Sequence, residues 1–170
     1  MASAPLTRPS IEGVELLNER RIFDERGSFS RLFSEEQIKK PIVQINHSAS
    51  LKRGTLRGLH YQIPPFEEIK VVRCMKGALY DVVLDIRENS PTYGSWFAET
   101  LTPENGVALV VPEGCAHGFL TLEDNTEILY FVTAPYSKEH ERGIRFDDPR
   151  FEIEWPFTPL ILSEKDRSYG

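Results

Sequence analysis

EIKVVRCMKGALYDVVLDI, residues 68–86, decides the fold. It contains two apolar runs, EIKVVRCM and GALYDVVLDI, joined at Lys76 and Gly77, where a glycine suits a tight hairpin corner. Short runs rich in Val, Ile, Leu and Tyr and bounded by turn residues read as strands. Outward from this stretch, SWFAETLT (95–102), GVALVV (106–111), GFLTL (118–122) and TEILYFVT (126–133) repeat the pattern, with Gly, Pro, Asn and Asp between them. Six or more short strands so spaced, with no amphipathic helix of about 12 residues to build parallel crossovers, predict an all-β sandwich or barrel. One short helical turn is predicted over Ser34 to Lys39, with Ser34 as cap and Glu35 and Glu36 in the first turn. Strands such as LYDVVLDI are apolar at nearly every position. That predicts burial on both faces, as where one sheet also packs against a partner subunit.

The 170 residues suffice for one domain with a proper core and are too few for two comfortable ones. The expectation is a single domain over 1–170 with an N-terminal arm over about residues 1–10. A net charge of −6 argues against nucleic acid or an anionic membrane as the main partner, because both require a positive face. Lys52, Arg53 and Arg57 nevertheless cluster, so a local basic cleft remains compatible with the overall charge. Only Cys74 and Cys115 occur, which leaves no disulfide framework or paired-cysteine zinc site and suits a reducing compartment. No segment approaches the roughly 18 apolar residues of a membrane span, and MASAPLTRPS lacks the apolar stretch of a signal peptide. A cytoplasmic location is expected.

Polar groups are densest over QINHSAS (44–50) and RGTLRGLHYQ (53–62), which hold Gln44, Asn46, Arg57, His60, Tyr61 and Gln62. Side chains alternate along a strand, which places Arg57, Leu59 and Tyr61 on one face and Gly58, His60 and Gln62 on the other. Lys70 lies between Ile69 and Val71; such a lysine commonly points to water, but if it faces a barrel interior it needs an anion, which a substrate oxyanion would supply. Of the four histidines, His47 and His140 stand in polar, loop-like surroundings where solvent exposure is expected. His60 is the functional candidate because of its neighbours. Tyr130, in TEILYFVT, reads by itself as a core aromatic with a hydrogen-bonded hydroxyl.

GVALVVPEGCAHGF (106–119) resembles the second motif of the cupin superfamily, in which Pro-x-Gly turns the chain and sets a histidine, here His117, inside a barrel. The metal-binding members add a His-x-His and a Glu, whereas HYQIPPFEEIK holds one histidine. Ordinary first-row metal sites need at least three placed protein ligands, so a catalytic metal is not expected; no other cofactor is expected.

FDERGSF (23–29), QINHSAS, GTLRGLHYQIPP (54–65), IKVVRCMKGALYDVVLDIRENSPTYG (69–94), PEGCAHGF (112–119), LYFVTAPY (129–136), DDPRFEIEWP (147–156) and LSEKD (162–166) together resemble the dTDP-4-dehydrorhamnose 3,5-epimerases and their relatives acting on other nucleotide-linked keto sugars. The resemblance runs from about residue 11 to 166. It implies a cupin-type double-stranded β-helix and an isomerase of carbohydrate biosynthesis that inverts C3, and by a lean C5, of a nucleoside-diphosphate-linked 4-keto-6-deoxy sugar. It also implies His60 as base, Asp166 as the carboxylate orienting it, Lys70 as the cation on the developing enolate, and Tyr130 as the acid on the opposite ring face. Arg26, Phe29, Gln44, Asn46, Arg57 and Lys165 fall at positions that contact the nucleotide or sugar, with His117 lining the pocket and Tyr136 packing near sugar or base. A homodimer is expected.

Two features depart from the family pattern. Arg31 stands where the family usually has Glu, which reverses the charge near the expected nucleotide and leaves dTDP, CDP and GDP open. The chain ends at Gly170, four residues past Asp166, and a shortened wall there would admit a different or larger sugar. The alternatives are a single-centre epimerase or a 3,4-ketoisomerase on a CDP- or GDP-linked sugar, and a non-catalytic sugar-nucleotide-binding cupin.

Overall fold

The structure, a computed structural model, describes residues 10–169, so the arm expected over about residues 1–10 lies almost wholly outside the described residues. The strands are β1 (Glu15–Asn18), β2 (Arg21–Asp24), β3 (Gly27–Ser30), β4 (Gln44–Ser50), β5 (Leu56–Gln62), β6 (Lys70–Lys76), β7 (Leu79–Asp85), β8 (Trp96–Leu101), β9 (Val107–Val111), β10 (Cys115–Thr121), β11 (Thr126–Val132) and β12 (Glu141–Gly143). The helical turn expected after Ser34 is present as one 3-10 turn, Glu35–Gln37, where the Gln37 Oε1 accepts from the Ser34 amide at 2.8 Å. A short helix not foreseen from the sequence, α1 (Glu164–Ser168), begins at Ser163, whose hydroxyl accepts from the Asp166 amide.

Two five-stranded antiparallel sheets, β1-β9-β6-β11-β4 and β12-β5-β10-β7-β8, make a cupin-type jelly-roll sandwich, with β2 and β3 as a separate hairpin. Alternation divides the apolar side chains between inside and outside. Val72 and Cys74 of β6, Leu109 and Val111 of β9, and Ile128 of β11 meet Leu79 and Val83 of β7 and Phe119 of β10 between the sheets. On the outer face of the first sheet, Val71, Ala108, Val110 and Phe131 are covered by Leu32, Phe33, Ile38 and Ile42. On the outer face of the second, Leu59, Val82, Leu84 and Ala116 are covered by Ile144, Phe151, Ile153 and Trp155.

The doubly apolar strands are therefore covered by the chain's own flanking segments. This corrects the sequence argument for a partner subunit: two irregular stretches with few periodic residues do the covering, and a strand pattern cannot tell them from a second chain.

Strand β10 starts at Cys115, not Gly118 as expected, because Cys115, Ala116 and His117 pair with Asp85, Leu84 and Val83. The strand ladder thus fixes His117. One irregularity in the β5–β10 ladder matters most: His117 faces His60 and Phe119 faces Arg57, so two residues of β5, Gly58 and Leu59, stand against Gly118 alone. This β-bulge resets the alternation. It requires a residue without a side chain, since a Cβ on Gly58 would lie 2.5 Å from the Gly118 Cα and 2.7 Å from the His117 carbonyl oxygen.

Candidate active site

The bulge puts Arg57 and His60 into one cavity, which corrects the strict alternation that had separated them. That cavity, of about 440 Å³, is also lined by Lys70, His117, Tyr130, Lys165 and Asp166. A second, of about 340 Å³, adjoins it and holds Gln44, Asn46, Glu68, Tyr136 and Glu141. His60, Lys70 and Tyr130 line both. They come from β5, β6 and β11: alternation puts Lys70 on the same side as Val72 and Tyr130 on the same side as Ile128, and the bulge turns His60 to join them.

His60 Nε2 lies 2.6 Å from Asp166 Oδ1, with the Asp166 side chain 4% exposed. The second Asp166 oxygen accepts from the Gly58 amide at 3.3 Å, so the bulge also anchors the carboxylate. Burial alone would raise the Asp166 carboxyl, but the His60 ring and the Gly58 amide hold it below the ordinary range. A carboxylate there fixes the ring tautomer and leaves the other nitrogen free to take a proton. On its outer side His60 meets the edge of Tyr169, with ring centroids 5.9 Å apart. Tyr169 fits there because Gly143, the cross-strand neighbour of His60, has no side chain: a Cβ would sit 2.2 Å from the Tyr169 ring.

Lys70 points inward, and its ammonium meets Glu68 at 2.6 Å, both side chains 11% exposed. The anion considered only as a substrate oxyanion is thus already supplied by the chain. Glu68 was missed, although residues two apart on an extended segment share a face and the spacing signalled the pair. Burial pushes the Tyr130 phenol up, with Arg57 opposing, which keeps the hydroxyl protonated at neutral pH. His117 Nε2 pairs with Asp81 at 2.7 Å, and the Asp81 carboxylate is fully buried with its Oδ2 unpartnered. Asp81 was also missed; its signal was an acid within an apolar strand, a place that demands a partner.

Gln44 donates to the Asn46 carbonyl oxygen at 2.7 Å, and Arg57 donates to Ser50 Oγ at 3.3 Å. Glu141, a third residue not foreseen, accepts from the Tyr136 hydroxyl at 2.8 Å and pairs with the Lys165 ammonium. Burial would raise its carboxyl; Lys165 and Tyr136 hold it low. Arg26, Phe29 and Arg31 line neither cavity: Arg26 pairs with Asp24, and all three are exposed on or beside the β2–β3 hairpin. His47 is exposed as expected and bridges to Glu127, whereas His140 is half-buried, against Phe66 and the Ser137 hydroxyl, and so departs from the expected exposure. Among the described residues no group of three or more His, Cys, Asp or Glu side chains is placed to hold a metal ion, and no helix is long and apolar enough to cross a membrane.

Comparison with known proteins agrees with this architecture. The dTDP-4-dehydrorhamnose 3,5-epimerase from Sinorhizobium fredii is 51% identical over 165 residues, covering 94% of this chain and 85% of its own length. The crystal structure of a dTDP-4-dehydrorhamnose 3,5-epimerase from Bacillus anthracis, with TDP and pyrophosphate bound, superposes with a TM-score of 0.92 at 38% identity and covers 96% of both chains. A dTDP-6-deoxy-D-glucose-3,5-epimerase from Legionella pneumophila, in complex with dTDP-4-keto-L-rhamnose, gives 0.90 at 36% identity, covering 95% of this chain and 89% of that one. The family model described as dTDP-4-dehydrorhamnose 3,5-epimerase matches residues 8–170, and the chain belongs to this family of sugar-nucleotide isomerases.

Proposed function

We propose that the chain, acting as one cupin-type domain, inverts C3 and C5 of a dTDP-linked 4-keto-6-deoxy sugar by removing and returning the proton at each carbon through an enolate. What carries the reading is that His60, Lys70 and Tyr130, from three strands, line the junction of the two cavities while Asp166 holds the His60 ring at 2.6 Å. A proton next to a ketone is weakly acidic, so its removal needs a placed base and a group that meets the charge developing on oxygen. The free nitrogen of His60 takes the proton, and Asp166 steadies the imidazolium that results. Lys70 donates to the enolate oxygen. Tyr130, protonated at neutral pH, returns a proton from the opposite ring face, as inversion requires. Lysine and arginine side chains suit the diphosphate, Arg57 through a planar fork. The choice of dTDP over CDP or GDP is supported by the names of the similar proteins and their bound ligands.

We further propose that the enzyme is a homodimer of the cytoplasm, a compartment that suits its free Cys74 and Cys115. Arg26 and Phe29 were expected to contact the nucleotide, yet both stand on the β2–β3 hairpin, where Phe23 is 72% and Phe29 68% exposed. An apolar hairpin held away from its own cavity suits insertion beside the cavity of a second copy.

Incubation with dTDP-, CDP- and GDP-linked 4-keto-6-deoxy sugars, followed by proton NMR of the products, tests this function. Conversion of the dTDP sugar to the isomer inverted at C3 and C5 is expected. A product with its carbonyl moved to C3, or no change with any donor, would sink it.

A further inference from the structure

We propose that Glu68 is a positioning residue for Lys70, holding its ammonium aimed at the point where the enolate oxygen develops. The inference rests on the function proposed above. Lys70 lines both cavities, and with its side chain 11% exposed its charge is largely removed from water. A buried ammonium without a counter-ion is costly. Glu68 answers that cost at 2.6 Å from within the same cavity, and its own side chain is no more exposed than that of Lys70. The pairing is local: Glu68 precedes β6 by two residues and lies on the same face as Lys70. The other carboxylates at the site are engaged elsewhere, Asp166 with His60 and Glu141 with Lys165 and Tyr136.

An ammonium carries three N–H donors. One directed at Glu68 leaves two for the substrate oxygen, so the pair reaches the transition state already oriented. The charge on that oxygen exists only after the proton has left, so losing the orientation should affect turnover and leave binding of the ground state almost unchanged.

Glu68→Gln preserves shape and removes the counter-charge, while Glu68→Ala removes both. With the dTDP-linked keto sugar, kcat for Glu68→Gln is expected to fall about tenfold and for Glu68→Ala by up to about a hundredfold, with KM within about threefold of the parent. A kcat for Glu68→Gln within about threefold of the parent, or a loss carried mainly by KM, would overturn the inference. Circular dichroism shows whether each variant is folded, and the isosteric Gln variant alone decides the matter if the Ala variant is not. The parent enzyme separates the two claims: a parent without turnover ends the proposed function, whereas an active parent matched by Glu68→Gln ends this inference only.

Discussion

Asp166 gives one oxygen to His60 and the other to the Gly58 amide, and this pairing carries a pH dependence. Its carboxyl is held below its ordinary 3.8 in the folded state. A depressed folded value contributes stability that is present above the unfolded value and lost as pH falls through the folded one. Acid titration followed by circular dichroism should therefore show Asp166→Asn losing less stability than the parent below pH 3.8; parallel curves would contradict this. Much at this scale was legible in part. His60 stood out from its polar neighbours, but Asp166 lies 106 residues away, so only the family resemblance connected them. Glu68 and Asp81 were readable in principle, as acids placed where the strand pattern buries them. Glu141 had no such signal, because its partners come from a loop and from α1.

Strand β5 shows what one inserted residue does to a site. With regular alternation Arg57 would face away from His60, and only the bulge at Gly58 and Leu59 returns both to the cavity. Gly58→Ala places a Cβ against the Gly118 backbone at a φ of 122°, which a side chain rarely adopts. It is expected to lower stability by about 1–3 kcal/mol and to reduce turnover as well, measured by denaturant unfolding and steady-state rates. An Ala variant as stable and active as the parent would show that the bulge is dispensable. Reading short apolar runs between turn residues recovered the strands from residue 68 to 133 to within a few residues, because β7, β9 and β10 are buried at nearly every position. It could not find the bulge, which depends on close approach of two backbones, nor α1, which spans Glu164–Ser168 and depends on the Ser163 cap more than on any apolar period.

Across the whole molecule, the two apolar outer faces are covered by residues 32–42 and 144–155 of the same chain, whereas Ile22, Phe23 and Phe29 of the β2–β3 hairpin are exposed, as are Val43, Ile45 and Leu51 on and beside β4. If that hairpin completes the cavity of a second copy, two inactive variants should complement each other. An Arg26→Ala/Phe29→Ala variant keeps His60, and a His60→Ala variant keeps the hairpin. Subunit exchange between equal amounts would make half the dimers mixed, each with one intact site, so about one quarter of parent activity is expected. No recovery after exchange, with mixed dimers verified by mass spectrometry, would place Arg26 and Phe29 outside the site.

The central claim is that His60, held by Asp166, removes the proton next to the ketone. It is tested most directly by incubating the dTDP-linked 4-keto-6-deoxy sugar in deuterated water and following C3 and C5 by NMR with the parent, His60→Ala and Tyr130→Phe enzymes. The parent is expected to exchange and invert both carbons, Tyr130→Phe to exchange but fail to invert at least one, and His60→Ala to exchange neither above the rate without enzyme. Exchange by His60→Ala at the parent's rate would remove His60 from the mechanism.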